Sequence, residues 1–364
     1  MPSNDTPSND KHPDFEARLD QLREEARATG RVSGRGVDVA GGPIPAGSLQ
    51  PAKPGYYGRP VVRPPVWEWQ IALYFFVGGL AGMAGVIGAV ACFRGHADVT
   101  RAAMWLAAAG VMISTVLLIW DLGRPWLFLH MLRVFKPKSP MSVGSWIVSF
   151  FGACAVPSAI AFELDQRHLI PAGSGAALAL HVLAVVLAVG TGFWGMFLAT
   201  YTGVLIGVST IPAWFSHVRL LPAHFGTVGL GSAVAVLELL GFRLPALNAL
   251  GFLAAIVETC VWLLLELRHH GAVDRAVHEG RSGLLLRSAG LLTGPAALIL
   301  RAAGSIGAGF WPATLLADAA FLVGGVTHRF GWIDAGHASG RDPEAVFASM
   351  QPEPPTAPSP PARQ

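Results

Sequence analysis

The stretch WDLGRPWLFLHMLRVFKPKSPMSVGSW, residues 120–146, is the densest polar segment between two apolar runs. Asp121 and Arg124 set a carboxylate three residues from a guanidinium at the edge of the first run. A carboxylate can accept and release protons, and a guanidinium can hold it in place. Pro125 follows and must end any helix arriving there. Lys136 and Lys138 flank Pro137, and Pro140 precedes Ser142 and Ser145 at the start of the next run. Trp126, Phe128, His130, Phe135 and Trp146 are interleaved with these charges. That composition suits an interfacial or re-entrant loop whose polar groups face a pocket or a partner. It equally fits an aromatic belt combined with positive-inside charge.

A second cluster opens the first apolar run. WEWQIALYFFVGGLAGMAG carries Glu68 and Gln70 beside Trp67 and Trp69, with Tyr74 further in. Gly78, Gly82 and Gly85 form a small-residue face that lets another helix approach closely. That face serves packing first, and Glu68 can reach the interface by snorkelling. Three carboxylates fall deeper: Glu238, Glu258 and Asp318. Charge inside a membrane is costly and reads as functional by default, so these are candidates for a proton route. A satisfied structural Glu258 is the competing reading, and Arg287 and Arg301 are possible partners for Asp318. His181 is read as the one histidine well inside a span. His130, His217, His224 and His328 are placed near helix ends, so paired axial histidines for a haem are not expected.

These residues need elements to position them. The chain has 364 residues, 52% hydrophobic and 13% charged, against about 25% charged in soluble domains. Its mean hydropathy is +0.48. An all-α integral membrane protein is therefore expected. A bilayer core needs about 20 apolar residues per helix. Eight spans are predicted, near 67–92, 102–121, 143–163, 176–209, 223–241, 245–267, 284–303 and 311–329. The fourth is long enough to tilt, protrude or break near Gly190-Thr191-Gly192. The seventh is interrupted by Pro295. Residues 1–54 read as a polar, mobile tail with a short helix at 13–29 and no secretory signal. Residues 55–330 form the membrane domain, with 55–66 an extended lead-in, and residues 331–364 a Pro-rich tail. The net charge of +3 carries no nucleic-acid signal.

Fourteen Lys and Arg residues, from Lys53 to Arg341, fall on the side holding both termini and the loops after the second, fourth and sixth spans. Only Arg94, Arg101, Arg167, Arg243 and Arg301 fall on the other. That bias puts both termini in the cytoplasm, in a plasma (inner) membrane. Cys92, Cys154 and Cys260 include no CxxC pair, so no iron–sulfur cluster or all-cysteine zinc site is expected in this chain.

YYGRP, FFVGGLAG and DLGRPWLFLHMLRVFKPKSPMSVGSW, with eight spans in order, resemble the NrfD/PsrC-type membrane subunit of the polysulfide reductase family over roughly residues 55–330. The resemblance implies two four-helix bundles, an exchangeable quinone (menaquinone or ubiquinone) bound near the membrane surface, and an iron–sulfur partner docked there. It also implies a catalytic subunit beyond, of the molybdopterin kind. On that reading Asp121, Arg124 and Glu68 do the acid–base work. Trp69, Gln70, Tyr74, Trp126, His130, Ser142 and Trp146 would line the quinone pocket, and Lys136 and Lys138 would face the partner. Some relatives carry Asn and His at the start of the first helix, where this chain has Glu68 and Gln70. Quinol oxidation releases two electrons and two protons, and without a cysteine cluster here the electron acceptor must sit on a partner.

Two other functions fit the same composition. A secondary transporter predicts paired broken helices and an internal repeat; no repeat of DLGRP or FFVGGLAG is found in the second half. A membrane scaffold would keep the anchor and lack the quinone site.

Overall fold

The computed structural model describes residues 67–350 except Gly123, His168, Ala172, His269, His270 and residues 307–310, with Val62 and Pro65 ahead of them. The chain divides into Met1–Arg59 and Pro60–Gln364, and all described residues lie in the second unit. The predicted helix at 13–29, most of the 55–66 lead-in and the stretch after Met350 lie outside them.

The described residues form helices and no strands. The long ones are α1 (Trp69–Phe93), α2 (Ala97–Asp121), α3 (Pro140–Gln166), α4 (Gly175–Gly207), α5 (Leu221–Leu239), α6 (Pro245–Leu267), α7 (Gly280–Ile306) and α8 (Trp311–Arg341), followed by a short α9 (Pro343–Met350). Six of them, α1 to α4, α6 and α7, are long and apolar enough to cross a membrane. The other two carry the polar load: α5 has 19 residues including His224 and Glu238, and α8 holds Asp318, His328 and Arg329. The chain is a multi-pass, all-α membrane protein.

Helices α1 to α4 pack as one bundle and α5 to α8 as a second; α1 and α4 carry the contact to α5, and α8 also reaches α1. Lipid gives no hydrophobic drive to helix pairing, so close approach of small residues does the work. At the crossing of α1 and α4 a Cβ on Gly82 would overlap the Gly195 carbonyl.

Local chemistry sets the helix ends. Ser139 caps α3 by accepting from the Ser142 backbone N–H at 3.5 Å, with Pro140 at the first helical position. Ser174 does the same for α4, accepting from Ala177 at 3.2 Å. Between α2 and α3, Pro125–Leu132 winds as a 3-10 helix.

Two helix bounds change, at the start of α2 and the end of α8, while α4 takes one of its expected forms and α7 is interrupted as expected. Helix α2 starts at Ala97, five residues early, with Asp98 favourably placed in its positive first turn. Helix α4 runs unbroken for 33 residues, about 50 Å. Its Thr191 hydroxyl donates back to the Leu187 carbonyl at 2.8 Å, and Gly192 faces Ala89. Helix α7 is interrupted where Pro295 removes a donor: Leu292–Ala296 forms a π turn, with Gly294 at φ −98 and ψ −105. Helix α8 continues to Arg341, so residues 331–341 belong to the folded unit. Trp332 is fully buried there. Its carbonyl accepts from Trp214 Nε1 at 2.7 Å, and Ser339 Oγ accepts from the Ala213 N–H at 3.2 Å.

Candidate functional site

A cavity of about 420 Å³ lies within the first bundle. Its walls come from α1 to α4, and its roof from the 3-10 helix that follows Arg124. Trp67, Ile71, Phe75, Val111, Val148 and Phe128 supply most of the apolar surface. Met112 and Met141 also line it and are 59% and 55% exposed, so the cavity reaches the outer side of the bundle.

Few polar groups reach it. The Thr115, Ser145 and Ser149 hydroxyls donate to carbonyls one turn back in their own helices, at 2.8–2.9 Å. Tyr201 donates to the Pro140 carbonyl. Tyr74 is buried and lines the cavity. Its phenol is a donor that can serve a ligand oxygen. A mostly apolar cleft with one or two converging polar groups is the usual form of a small-molecule site.

Of the seven residues expected to line a quinone pocket, Tyr74 does so. Gln70 is buried beside it on α1, its Oε1 without a partner among the described residues. Trp69 packs edge-on against Trp120, with ring centroids 6.2 Å apart. That contact draws the start of α1, with exposed Glu68, towards half-buried Asp121 at the end of α2. Arg124 is exposed and immediately precedes the 3-10 helix. Trp126 is 82% exposed, and His130, Lys136 and Lys138 share that open surface. Ser142 ties the loop down: its hydroxyl accepts from the Lys136 N–H at 3.0 Å and donates to Val134 at 3.4 Å. Trp146 packs between Phe135 and Phe150, at 6.1 and 5.5 Å.

The second bundle holds two buried polar clusters. In the first, His224 Nδ1 lies 3.0 Å from Glu258 Oε2, His224 Nε2 contacts His328 Nε2, and Trp332 Nε1 donates to that same His328 nitrogen at 3.0 Å. The π turn of α7 brings the Thr293 hydroxyl to 3.5 Å from Glu258. Beside them Arg329, fully buried, lies 3.7 Å above the Phe225 ring and donates to the Phe225 carbonyl at 2.8 Å. In the second cluster Arg301 reaches Asp318 at 2.7 Å, Glu238 at 2.9 Å and Asn248 at 3.2 Å. Of the two partners considered for Asp318, the structure selects Arg301; Arg287 pairs with Glu266 at 2.9 Å. A Cβ on Gly251 would overlap the Arg301 guanidinium.

The placement of two histidines is a correction. His181 is 56% exposed in its side chain and pairs with Asp165 at 2.9 Å, and His328 is buried well inside α8, whereas His224 stands in the first turn of α5, near a helix end as expected, and is buried. The signal for His328 was available: GWIDAGHASGR keeps Trp332 and Ile333 one turn beyond it, although its polar residues resemble a tail.

A profile of the family described as "Polysulphide reductase, NrfD" matches residues 60–265. Protein NrfD of Escherichia coli is 28% identical over 192 residues, covering 47% of this chain and 58% of that protein. The C subunit of polysulfide reductase from Wolinella succinogenes is 24% identical over 221 residues, covering 55% of this chain and 69% of that protein. The matched segment contains α1 to α5 and nearly all of α6, and with them the cavity, His224 and Glu258. Helices α7 and α8 lie beyond it.

Proposed function

Because the protein belongs to the NrfD polysulphide reductase family, we propose that it is the membrane-anchoring, quinone-reactive subunit of a multi-subunit oxidoreductase. The observation that carries this reading is the cavity between α1 and α4. Its apolar walls and lipid-side mouth suit a ring with an isoprenoid tail, and Tyr74 offers a phenol donor to a ring oxygen. A quinol oxidised there supplies two electrons and two protons.

The protein's own residues divide the remaining work. Tyr74 orients the ring by hydrogen bonding. Asp121 and Glu68, drawn together by the Trp69–Trp120 contact, take up or deliver protons at the membrane edge. Arg124, Lys136 and Lys138 present positive charge on the exposed loop, where an iron–sulfur partner would dock. The cysteines lie one each on α1, α3 and α6, so the electrons pass to that partner and onward to a catalytic subunit, of the molybdopterin kind in the family reading. The Lys and Arg bias supports a cytoplasmic side for that loop and both termini, in a plasma membrane. A transporter needs paired broken helices, and the unbroken α4 removes one of the two expected breaks.

The test is tryptophan fluorescence of the full-length protein in detergent, titrated with a short-chain quinone. Trp67 lines the cavity and is one of 11 tryptophans. Saturable quenching that is lost in Trp67→Phe and weakened at least tenfold by the cavity-filling Val148→Phe is the expected result. Quenching unaffected by both variants would remove the cavity as the quinone site and leave the scaffold reading.

A further inference from the structure

Six polar side chains meet between α5, α6, α7 and α8, outside the cavity of the first bundle: His224, Glu258, Thr293, His328, Arg329 and Trp332. One donor settles the direction of their hydrogen bonds. An indole can only give its N–H, and Trp332 gives it to His328 Nε2. That nitrogen is bare, so the neutral His328 ring carries its proton on Nδ1. His224 Nε2 contacts the same bare nitrogen and must therefore be a donor. His224 Nδ1 is left facing Glu258, at 3.0 Å from Oε2 and 3.2 Å from Oε1. A bare nitrogen against a carboxylate would press two acceptors together in a dry interior, which is costly. One proton must lie between them, either on Nδ1 opposite a carboxylate or on the carboxyl opposite a bare nitrogen.

We propose that His224 and Glu258 form a one-proton binding site within the second bundle, loaded and unloaded through His328. When the pair releases its proton by this route, His224 Nε2 passes its proton to His328 Nε2, and His328 gives the one on its own Nδ1 to water. The shared proton then stays on His224 Nδ1 and Glu258 is left a carboxylate; the reverse sequence reloads the site. Each transfer breaks one N–H or O–H bond and forms another, and no electron moves. His328 Nδ1 is buried and has no partner among the described residues, so water is the acceptor that completes the relay.

The charged surroundings are few. Arg329 contributes a cation from α8, Thr293 is a polar group from α7, and α1 sets Gly79 against Arg329. Beyond Trp332, His217 borders the indole at 5.3 Å and lies 4.0 Å from Asp274. The π turn in α7 is the kind of irregularity that gathers at functional positions. The site does not rest on the quinone reading and stands without it.

Infrared difference spectra of the full-length protein in lipid vesicles, recorded between acid and alkaline pH with no quinone added, test the proposal. Carboxyl and imidazole bands should change together with one shared midpoint, and both should vanish in Glu258→Gln and in His224→Gln. Bands that persist in either variant, or that titrate separately in the wild type, would overturn it. Trp332→Phe provides a milder check, since it keeps both members of the pair and removes only the directing N–H. The midpoint should shift when His328 Nε2 is free to carry a proton, and an unmoved midpoint would refute the assigned direction.

Discussion

Gly144, near the start of α3, lies against the phenol of Tyr201 on α4, and a Cβ at position 144 would overlap the ring and its hydroxyl oxygen. The same hydroxyl donates to the Pro140 carbonyl at the head of α3. The ring is thus held from two sides by one turn of helix, and both Gly144 and Tyr201 line the cavity. The glycine in the SVGSW segment has a steric purpose there.

Gly144→Ala should therefore displace Tyr201 and reshape that wall. Overpacking of this kind costs about 1–3 kcal/mol. Thermal unfolding in detergent should move to lower temperature, and quinone affinity should fall in the fluorescence titration.

Tyr74→Phe removes one hydroxyl and leaves the ring in its packing against Phe75. If that hydroxyl donates to a quinone oxygen, losing about 1.4 kcal/mol weakens binding about tenfold. The same titration measures the change, and the melting temperature should stay near that of the wild type.

Arg301 is fully buried with Asp318 and Glu238 around it. Arg301→Leu leaves two carboxylates without their cation, at a cost of about 3–5 kcal/mol. Asp318→Asn keeps an acceptor in place and should cost much less. Gly251→Ala should disturb the same guanidinium, so its effect should shrink in the Arg301→Leu background. Melting curves of the single and double variants decide this.

Outside the spans, Arg275 joins α9 to the bundle through Asp342 at 3.1 Å and Glu344 at 2.8 Å. The hydrogen bond from Arg275 to Glu344 and the charges of Glu344 and Asp342 raise the Arg275 guanidinium above its ordinary pKa. A raised cation keeps its contribution at every pH below the ordinary arginine value and loses it only as pH climbs through the raised one. The clamp should therefore not respond to the titration of Arg275 near neutral pH. It should weaken as salt screens it, and Arg275→Ala should speed proteolysis after α8 most at low ionic strength.

Much of this molecule is legible without coordinates. Apolar runs of about 20 residues have few fates other than membrane helices, so the spans of α1, α2, α3 and α6 could be placed from hydropathy. Pro295 announced the interruption in α7, because a missing N–H must break the ladder wherever it falls. The motifs around Asp121 and in α1 pointed to the family. Hydropathy was blind to the end of α8, where GWIDAGHASGR looks like a tail yet buries Trp332 and Ser339 against Pro212–Phe215.

By itself, the sequence determined the membrane class, the helical architecture and the polar residues available for chemistry, because those follow from local hydrophobicity and from backbone groups that must bond within their own helix. Only the tertiary structure decided which of those residues meet. Position along a helix does not say which face a side chain takes or which helix it will oppose. The cavity thus took Tyr74 and left Trp126 and His130 on the outer surface, and His224, Glu258 and His328, far apart in sequence, met only when α5, α6 and α8 packed together.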